Sequence, residues 1–377
     1  MQLEFASSER STLGVEWELT LVDRETGALV QSADDVLGAL RRDDGSEHPQ
    51  ITHELLLNTI ELGSRVHHTV GGAVADLREL ITEIQAVTDP LGVELMCAGT
   101  HPFAQWFDQE ASSNERYDRL LERTQWWGRQ MLIWGIHVHV GVEERDKALP
   151  LVNALLTYYP HLQALSASSP FWGGVNTGYA SNRALMFQQL PTAGLPWQLG
   201  SWANYEQYVD DLVTTGIITD FSEVRWDIRP SPKWGTIEMR ACDGLSTAEE
   251  IGAVAALIQC LVEYLSRRLD AGEDLMMLQP WFVRENKWRA ARYGLDARVI
   301  VDPAGAQRPV VDDIRRILDE LTDVARDLCC TDELAEVEHI LAAGASYQRQ
   351  LRTAAENDGD LRAVVASLSR ELRTGLA

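Results

Sequence analysis

Glu16 and Glu18 stand one residue apart in T-L-G-V-E-W-E-L-T-L (12–21). On an extended strand two such carboxylates share a face roughly 7 Å apart, two rises of about 3.3 Å each. They repel unless a cation or an arginine lies between them. Later segments repeat the design. Glu61 sits in T-I-E-L-G-S-R-V (59–66), and His137 and His139 share a face in G-I-H-V-H-V-G (135–141). Thr236, Glu238 and Arg240 share one in T-I-E-M-R-A-C (236–242), and residues 223–229 put Arg225, Asp227 and Arg229 together. Taken singly, an E-x-E is more often a solvated strand face, an H-x-H as often a satisfied core pair, and facing arginines and acids a surface salt bridge. Together they describe one sheet face crowded with acids that need compensating cations. Oxygen-rich ligands with a single imidazole suit Mg²⁺ or Mn²⁺ better than structural zinc. Magnesium beside arginines is equipment for a nucleoside triphosphate, because metal ions bridge phosphate oxygens and arginine steadies the group in transfer.

The elements that must position these groups follow from periodicity. Leu13, Val15, Trp17, Leu19 and Leu21 alternate with the acids, so the first strand has a buried face and a polar one. D-R-E-T-G (23–27) reads as a hairpin turn and 31–46 as an acidic, partly helical excursion. Ile60, Leu62, Ser64 and Val66 alternate about Glu61; Glu54, seven positions earlier, can join it only if the backbone turns or bulges near Leu56 to Asn58. The spacing predicts a helix over 72–89 closed by Pro90, a short strand over 93–97, a helix over 114–129 and two over 148–168. The glycine-rich stretch 169–180 could cradle phosphates but lacks G-x-x-x-x-G-K-[ST]; Ser181 would cap a helix carrying Arg183. Pro191 to Trp202 suits a lid, and 223–229 with 236–242 form a hairpin on which Cys242 shares Glu238's face without assigned chemistry. A long apolar helix (246–268), a basic one (280–293), a strand (298–301) and three or four amphipathic helices from 309 onward complete the chain.

Bulk properties set the bounds. The 377 residues are 45% apolar, enough for a large core, and the formal charge of -24 argues against nucleic acid or an anionic membrane as partner. No apolar run reaches membrane-spanning length and the N-terminus has no leader pattern, so the expectation is a cytoplasmic protein. Five cysteines without C-x-x-C spacing fit reduced thiols. Exposed Trp and Phe between 171 and 202 could serve a homodimer interface.

Seven motifs carry a resemblance to a known family: G-V-E-W-E-L (14–19), H-E-L-L-L-N-T-I-E-L (53–62), G-T-H-P-F (99–103), G-I-H-V-H-V-G, S-A-S-S-P-F-W-G-G-V-N-T-G-Y-A-S-N-R (166–183), W-D-I-R-P-S (226–231) and T-I-E-M-R. In this order over residues 10–300 the chain resembles the glutamate–cysteine ligase type 2 group, the bacterial carboxylate-amine ligases. The resemblance implies an α+β, glutamine-synthetase-like fold, an antiparallel sheet bent into a funnel with helices outside. It implies a catalytic domain over 1–308, with 309–377 as a helical layer on it. The activity implied is ATP-dependent joining of glutamate's γ-carboxylate to an amine such as cysteine, through an acyl phosphate. By the same resemblance Glu16, Glu18, Glu54, Glu61, His137 and Glu238 would hold Mg²⁺ or Mn²⁺. Arg240 would touch the transferred phosphate, with Arg225 and Arg229 beside it, and Arg183, His139 and Thr236 would serve substrate or nucleotide. Trp17, where members often carry an acid, faces the core by period and leaves the site intact. Two rivals remain: a metal-dependent amide hydrolase that turns over without ATP, and a non-catalytic protein that binds nucleotide or amino acid.

Overall fold

β1 (Leu13–Asp23) is the strand that the alternation predicts, and it lies at the middle of the protein's main sheet. The computed structural model describes residues 3–375. The side chains of Leu13, Val15, Trp17, Leu19 and Leu21 are all buried in one core, while Glu16 and Glu18 project from the opposite face. β2 (Ile51–His53), β3 (Thr59–Gly63), β4 (Val93–Met96) and β5 (Gly135–Gly141) follow. After a small hairpin of β6 (Phe171–Trp172) and β7 (Val175–Asn176) come β8 (Ile228–Ser231) and β9 (Thr236–Asp243). The seven-stranded antiparallel sheet runs β2-β3-β1-β5-β9-β8, with β4 pairing the far end of β1. A last hairpin joins β10 (Arg298–Ile300) to β11 (Gln307–Pro309).

The core face is covered by the helices Val70–Thr88 and Ala248–Asp270, each started by a threonine hydroxyl (Thr69, Thr247) that accepts a first-turn N–H. Ile251, Val254, Ala255, Ile258, Leu261, Val262 and Leu265 are buried, as their spacing requires. Four helices close the chain: Val310–Asp327, Thr331–Ala343, Ser346–Glu356 and Leu361–Thr374. Val310, Ile314, Leu321, Leu334, Val337 and Ile340 belong to the same core cluster as β1. Arg349 ties this layer down, pairing with Glu250 at 2.9 Å and Glu371 at 3.1 Å.

Local departures from the periodic reading have physical causes. The helix expected over 114–129 breaks at Gln125, whose φ is +49°, into Glu115–Thr124 and Trp126–Arg129. β3 stops at Gly63 and leaves Val66 exposed. Ser181 caps no helix; its hydroxyl donates to the Asp243 carboxylate, and Asn182 precedes the short helix Arg183–Phe187. Asp227 does not share a face with Arg225 and Arg229, because residues 224–227 are not yet strand. It turns inward to Lys287 Nζ (2.7 Å) and Tyr159 Oη (3.1 Å). A bulge in β9 sets Arg240 and Ala241 against His137, since Met239 pairs with Val138 and Cys242 with Ile136. The extra residue resets the alternation, so Cys242 falls in the core and not on Glu238's face. All five cysteines are free thiols.

Candidate functional site

Strand register assembles the site. Glu16 lies opposite His137, Glu18 opposite Glu61, and Glu238 opposite both His139 and Arg229. Directly opposed residues on one sheet face have Cβ atoms about 5 Å apart, so residues from five strands meet although the sequence separates them widely. Glu54 joins because β2 ends at His53 and the chain turns through 54–58 before β3, the turn that its odd spacing demands. They line a cleft of about 430 Å³, together with Arg116, Arg183, Arg225, Arg229 and Arg240. Thr236 stays behind the wall, 2.8 Å from His139 Nδ1.

The acids divide into a compensated set and an uncompensated one. Glu238 is buried and receives Arg229 Nε at 2.7 Å on one oxygen and Arg240 on the other. Burial opposes its ionisation, but the two guanidinium charges hold its carboxyl far below the usual range. Burial likewise opposes charge on Glu16, and hydrogen bonds from His137 and His139 outweigh it. Glu18 lies the other way: burial, then the charge of Glu54, pushes it up to about 7 despite the Gly135 N–H that it accepts at 2.5 Å. Glu54 is raised by burial, and Glu61 well above normal by burial and then by Glu16, Glu54 and Glu18.

His137 connects the two sets. Its Nδ1 lies 2.8 Å from Glu16 Oε2, and a carboxylate can only accept, so Nδ1 carries the proton. Burial, then Arg240, lowers the imidazole to about 4, so it is neutral at pH 7 and Nε2 offers a lone pair. That Nε2 is buried without a hydrogen-bond partner among the described residues, 3.9 Å from Glu18 Oε1. Glu18, Glu61 and His137 each present a ligand atom within 4.8 Å of the others, as do Glu16, His137 and Glu238. An orphaned imidazole nitrogen facing two uncompensated carboxylates fits a hard divalent cation.

The arginines are held from behind. Arg183 Nη1 donates to the Arg240 carbonyl at 3.0 Å, and its guanidinium fills the space where a Cβ at Gly135 would stand. Burial lowers Arg225 to about 10, opposed by Glu223.

One sequence expectation is overturned. Apart from Leu190, which precedes it, the proposed lid at 191–202 lies away from the cleft; Ala193–Gln198 line a separate groove with Pro280, Trp281 and Trp288. The glycine-rich stretch, which lacks a P-loop signature, lies outside the cleft as well, Trp172 and Gly173 lining a smaller cavity with His101 and Trp106. Phe171, Phe187 and Trp202 are buried, so of the aromatic groups suggested for an interface, Trp197 is the one largely exposed.

Other lining residues escaped the sequence reading. Arg116, Tyr117 and Leu120 share a helix face at helical spacing, and Phe187 and Leu190 follow Arg183 by four and seven residues. Both patterns could have been read, but without a partner strand nothing distinguished them from ordinary amphipathic turns.

A family model described as glutamate–cysteine ligase family 2 matches residues 12–367. A Leifsonia xyli subsp. xyli protein, provisionally named a glutamate–cysteine ligase 2, is 69% identical over 375 residues, covering 100% of this chain and 99% of its own. Among solved structures, a Francisella tularensis glutamate–cysteine ligase in complex with AMP superposes with a TM-score of 0.68 at 15% identity, over 98% of this chain and 90% of that one. A bifunctional glutathione synthetase from Pasteurella multocida gives a TM-score of 0.67 at 17% identity, over 96% of this chain and 51% of that one. Those identities establish a shared fold, the helix-backed antiparallel sheet that the motifs imply. The family match reaches from β1 into the last helix, and on that extent the chain belongs to glutamate–cysteine ligase family 2.

Proposed function

We propose that this protein is an ATP-dependent ligase that joins the γ-carboxylate of glutamate to an amine. What carries this reading is the orphaned His137 Nε2 facing Glu18 and Glu61 in the cleft that also holds Arg229 and Arg240, in a chain of this family. Carboxylate and amine do not condense appreciably in water, so the carboxylate is first phosphorylated and the amine then displaces phosphate. Arg240 and Arg229, fixed by the shared Glu238, are pre-aimed at charge that develops on the transferred group. Arg183 keeps the Arg240 backbone in place. His139, braced by Thr236, keeps Glu16 ionised and oriented. Glu16, Glu18, Glu54, Glu61, His137 and Glu238 would hold Mg²⁺ or Mn²⁺, which when bound neutralises phosphate oxygens. Residues 1–308 act as the catalytic unit with 309–377 as a helical layer on the same domain, and the core that they share supports the layer's packing there. The cytoplasm, where ATP and glutamate are present, is the setting of this reaction.

ADP release with magnesium, glutamate and a panel of amines tests the reading. It should require ATP, glutamate and an acceptor together. Amide cleavage without ATP would make the protein a hydrolase, and ATP binding with no ADP from any acceptor would make it a binding protein.

The metal assignment gives its own expectation. Glu18, raised to about 7, binds its proton more tightly in the folded state than in the unfolded. The stability that this contributes is full below its unfolded pKa and is lost as pH rises through about 7. A divalent cation needs the ionised form and should restore that loss. Millimolar Mg²⁺ or Mn²⁺ should therefore raise the melting temperature more at pH 8 than at pH 6. Equal shifts at both pH values would remove Glu18 from the ligand set.

A further inference from the structure

The cleft has two chemistries. Beyond the charged groups, Leu55, Leu120, Met131, Ile133, Phe187 and Leu190 form one apolar cluster that lines the same space. It starts beside the reacting centre: the Phe187 ring centroid is 5.8 Å from Arg240 Cζ and 5.9 Å from Arg183 Cζ. Apart from the Phe187 ring face, which lies near the two guanidiniums, these side chains offer a ligand only apolar contact.

We propose that this wall receives the acceptor's side chain, and that the acceptor is an amine bearing an aliphatic or aromatic group larger than that of cysteine; the proposal rests on the ligase reading above. Chain length decides which substrate meets the wall. The base of a nucleotide is separated from its γ-phosphoryl group by the ribose and two phosphates, whereas an acceptor's side chain begins one or two bonds from the attacking nitrogen. In the second step that nitrogen's lone pair forms the C–N bond at the acyl-phosphate carbonyl. The C–O bond breaks with its electron pair leaving on phosphate, and the nitrogen's proton passes to solvent. The group one or two bonds from that nitrogen therefore lies near Arg240, where the apolar wall stands. A thiol is a small group for a surface of six hydrophobic side chains, and hydrophobic pockets distinguish substrates by about 10–200-fold per methylene.

The test measures γ-glutamyl product with ATP, Mg²⁺ and glutamate, using hydroxylamine, which has no side chain, then cysteine, serine, leucine, methionine and phenylalanine. At least one of leucine, methionine and phenylalanine should exceed cysteine in kcat/KM by about 10-fold or more. Met131→Gln, or Ile133→Thr if the first variant does not fold, should lower the ratio of apolar acceptor to hydroxylamine by a similar factor. Hydroxamate formation with cysteine preferred, or an unchanged ratio in the variant, overturns this inference and leaves the ligase reading standing. A variant that raises the KM for ATP and spares the acceptor ratio assigns the wall to the nucleotide, which also overturns it. Absence of ADP with every acceptor, hydroxylamine included, overturns the ligase reading itself.

Discussion

Glu238→Gln should lower glutamate-dependent ADP release by roughly 10²–10³-fold while the protein remains folded. The wild-type carboxylate accepts Arg229 on both oxygens, at 2.7 and 3.2 Å, and Arg240 on the oxygen that takes the longer Arg229 contact. A glutamine has one carbonyl oxygen and must turn its NH₂ toward one of the two arginines. That guanidinium then faces a donor in place of an acceptor, and two positive charges adjoin without the anion that holds them together. Of the two, Arg240 is the one whose charge acts on the uncompensated Glu18, Glu54 and Glu61, so it should swing toward them. The group that must stabilise the transferred phosphoryl would then be out of place. Circular dichroism establishes folding, and Glu238→Asp, which retains the charge, should recover part of the loss. Wild-type turnover in Glu238→Gln would show that neither arginine depends on this residue.

The second large effect is on stability. Lys287→Met should cost about 3–5 kcal/mol, the usual result of removing one partner of a buried ion pair. Lys287 and Asp227 are 4% and 3% exposed and 2.7 Å apart, so solvent cannot replace the lost ammonium. Among the described residues, the Tyr159 hydroxyl would remain as the hydrogen-bond donor to the Asp227 carboxylate. Asp227→Asn combined with Lys287→Met removes both charges and should recover most of the stability, as read from urea melts. Recovery to near wild type would separate the cost of an orphaned charge from the cost of lost packing. Loss below about 1 kcal/mol in the single variant would mean that water reaches Asp227. The pair also bears on the cleft, because the Asp227 carbonyl accepts the Arg240 N–H at 2.8 Å and Arg225 and Arg229 flank it in sequence.

Alternation made β1, β3, β5 and β9 legible, since a strand with one buried face writes its period into the chain. Register was not legible, yet register is what opposes Glu16 to His137 and Glu18 to Glu61. Cys242 shows the limit: a single inserted residue at the bulge reverses the parity on which its placement relied. Asp227 shows another, because a run of alternating charges reads as strand even where tertiary packing turns one member toward a lysine 60 residues away. The misplaced lid had no signal of direction, since Pro, Gly and Trp mark a loop without marking which side of the sheet it covers.

The central place of β1 also bears on how the polypeptide reaches its native state. The strand made first by the ribosome rests between partners that emerge at residues 59–63, 93–96 and 135–141, and the second neighbour of β5 is finished only at 243. A hydrophobic segment of Leu, Val and Trp must therefore wait, unpaired, through much of translation. Such non-local pairing slows acquisition of structure and favours association between nascent chains, so slower synthesis at lower temperature should raise the soluble yield.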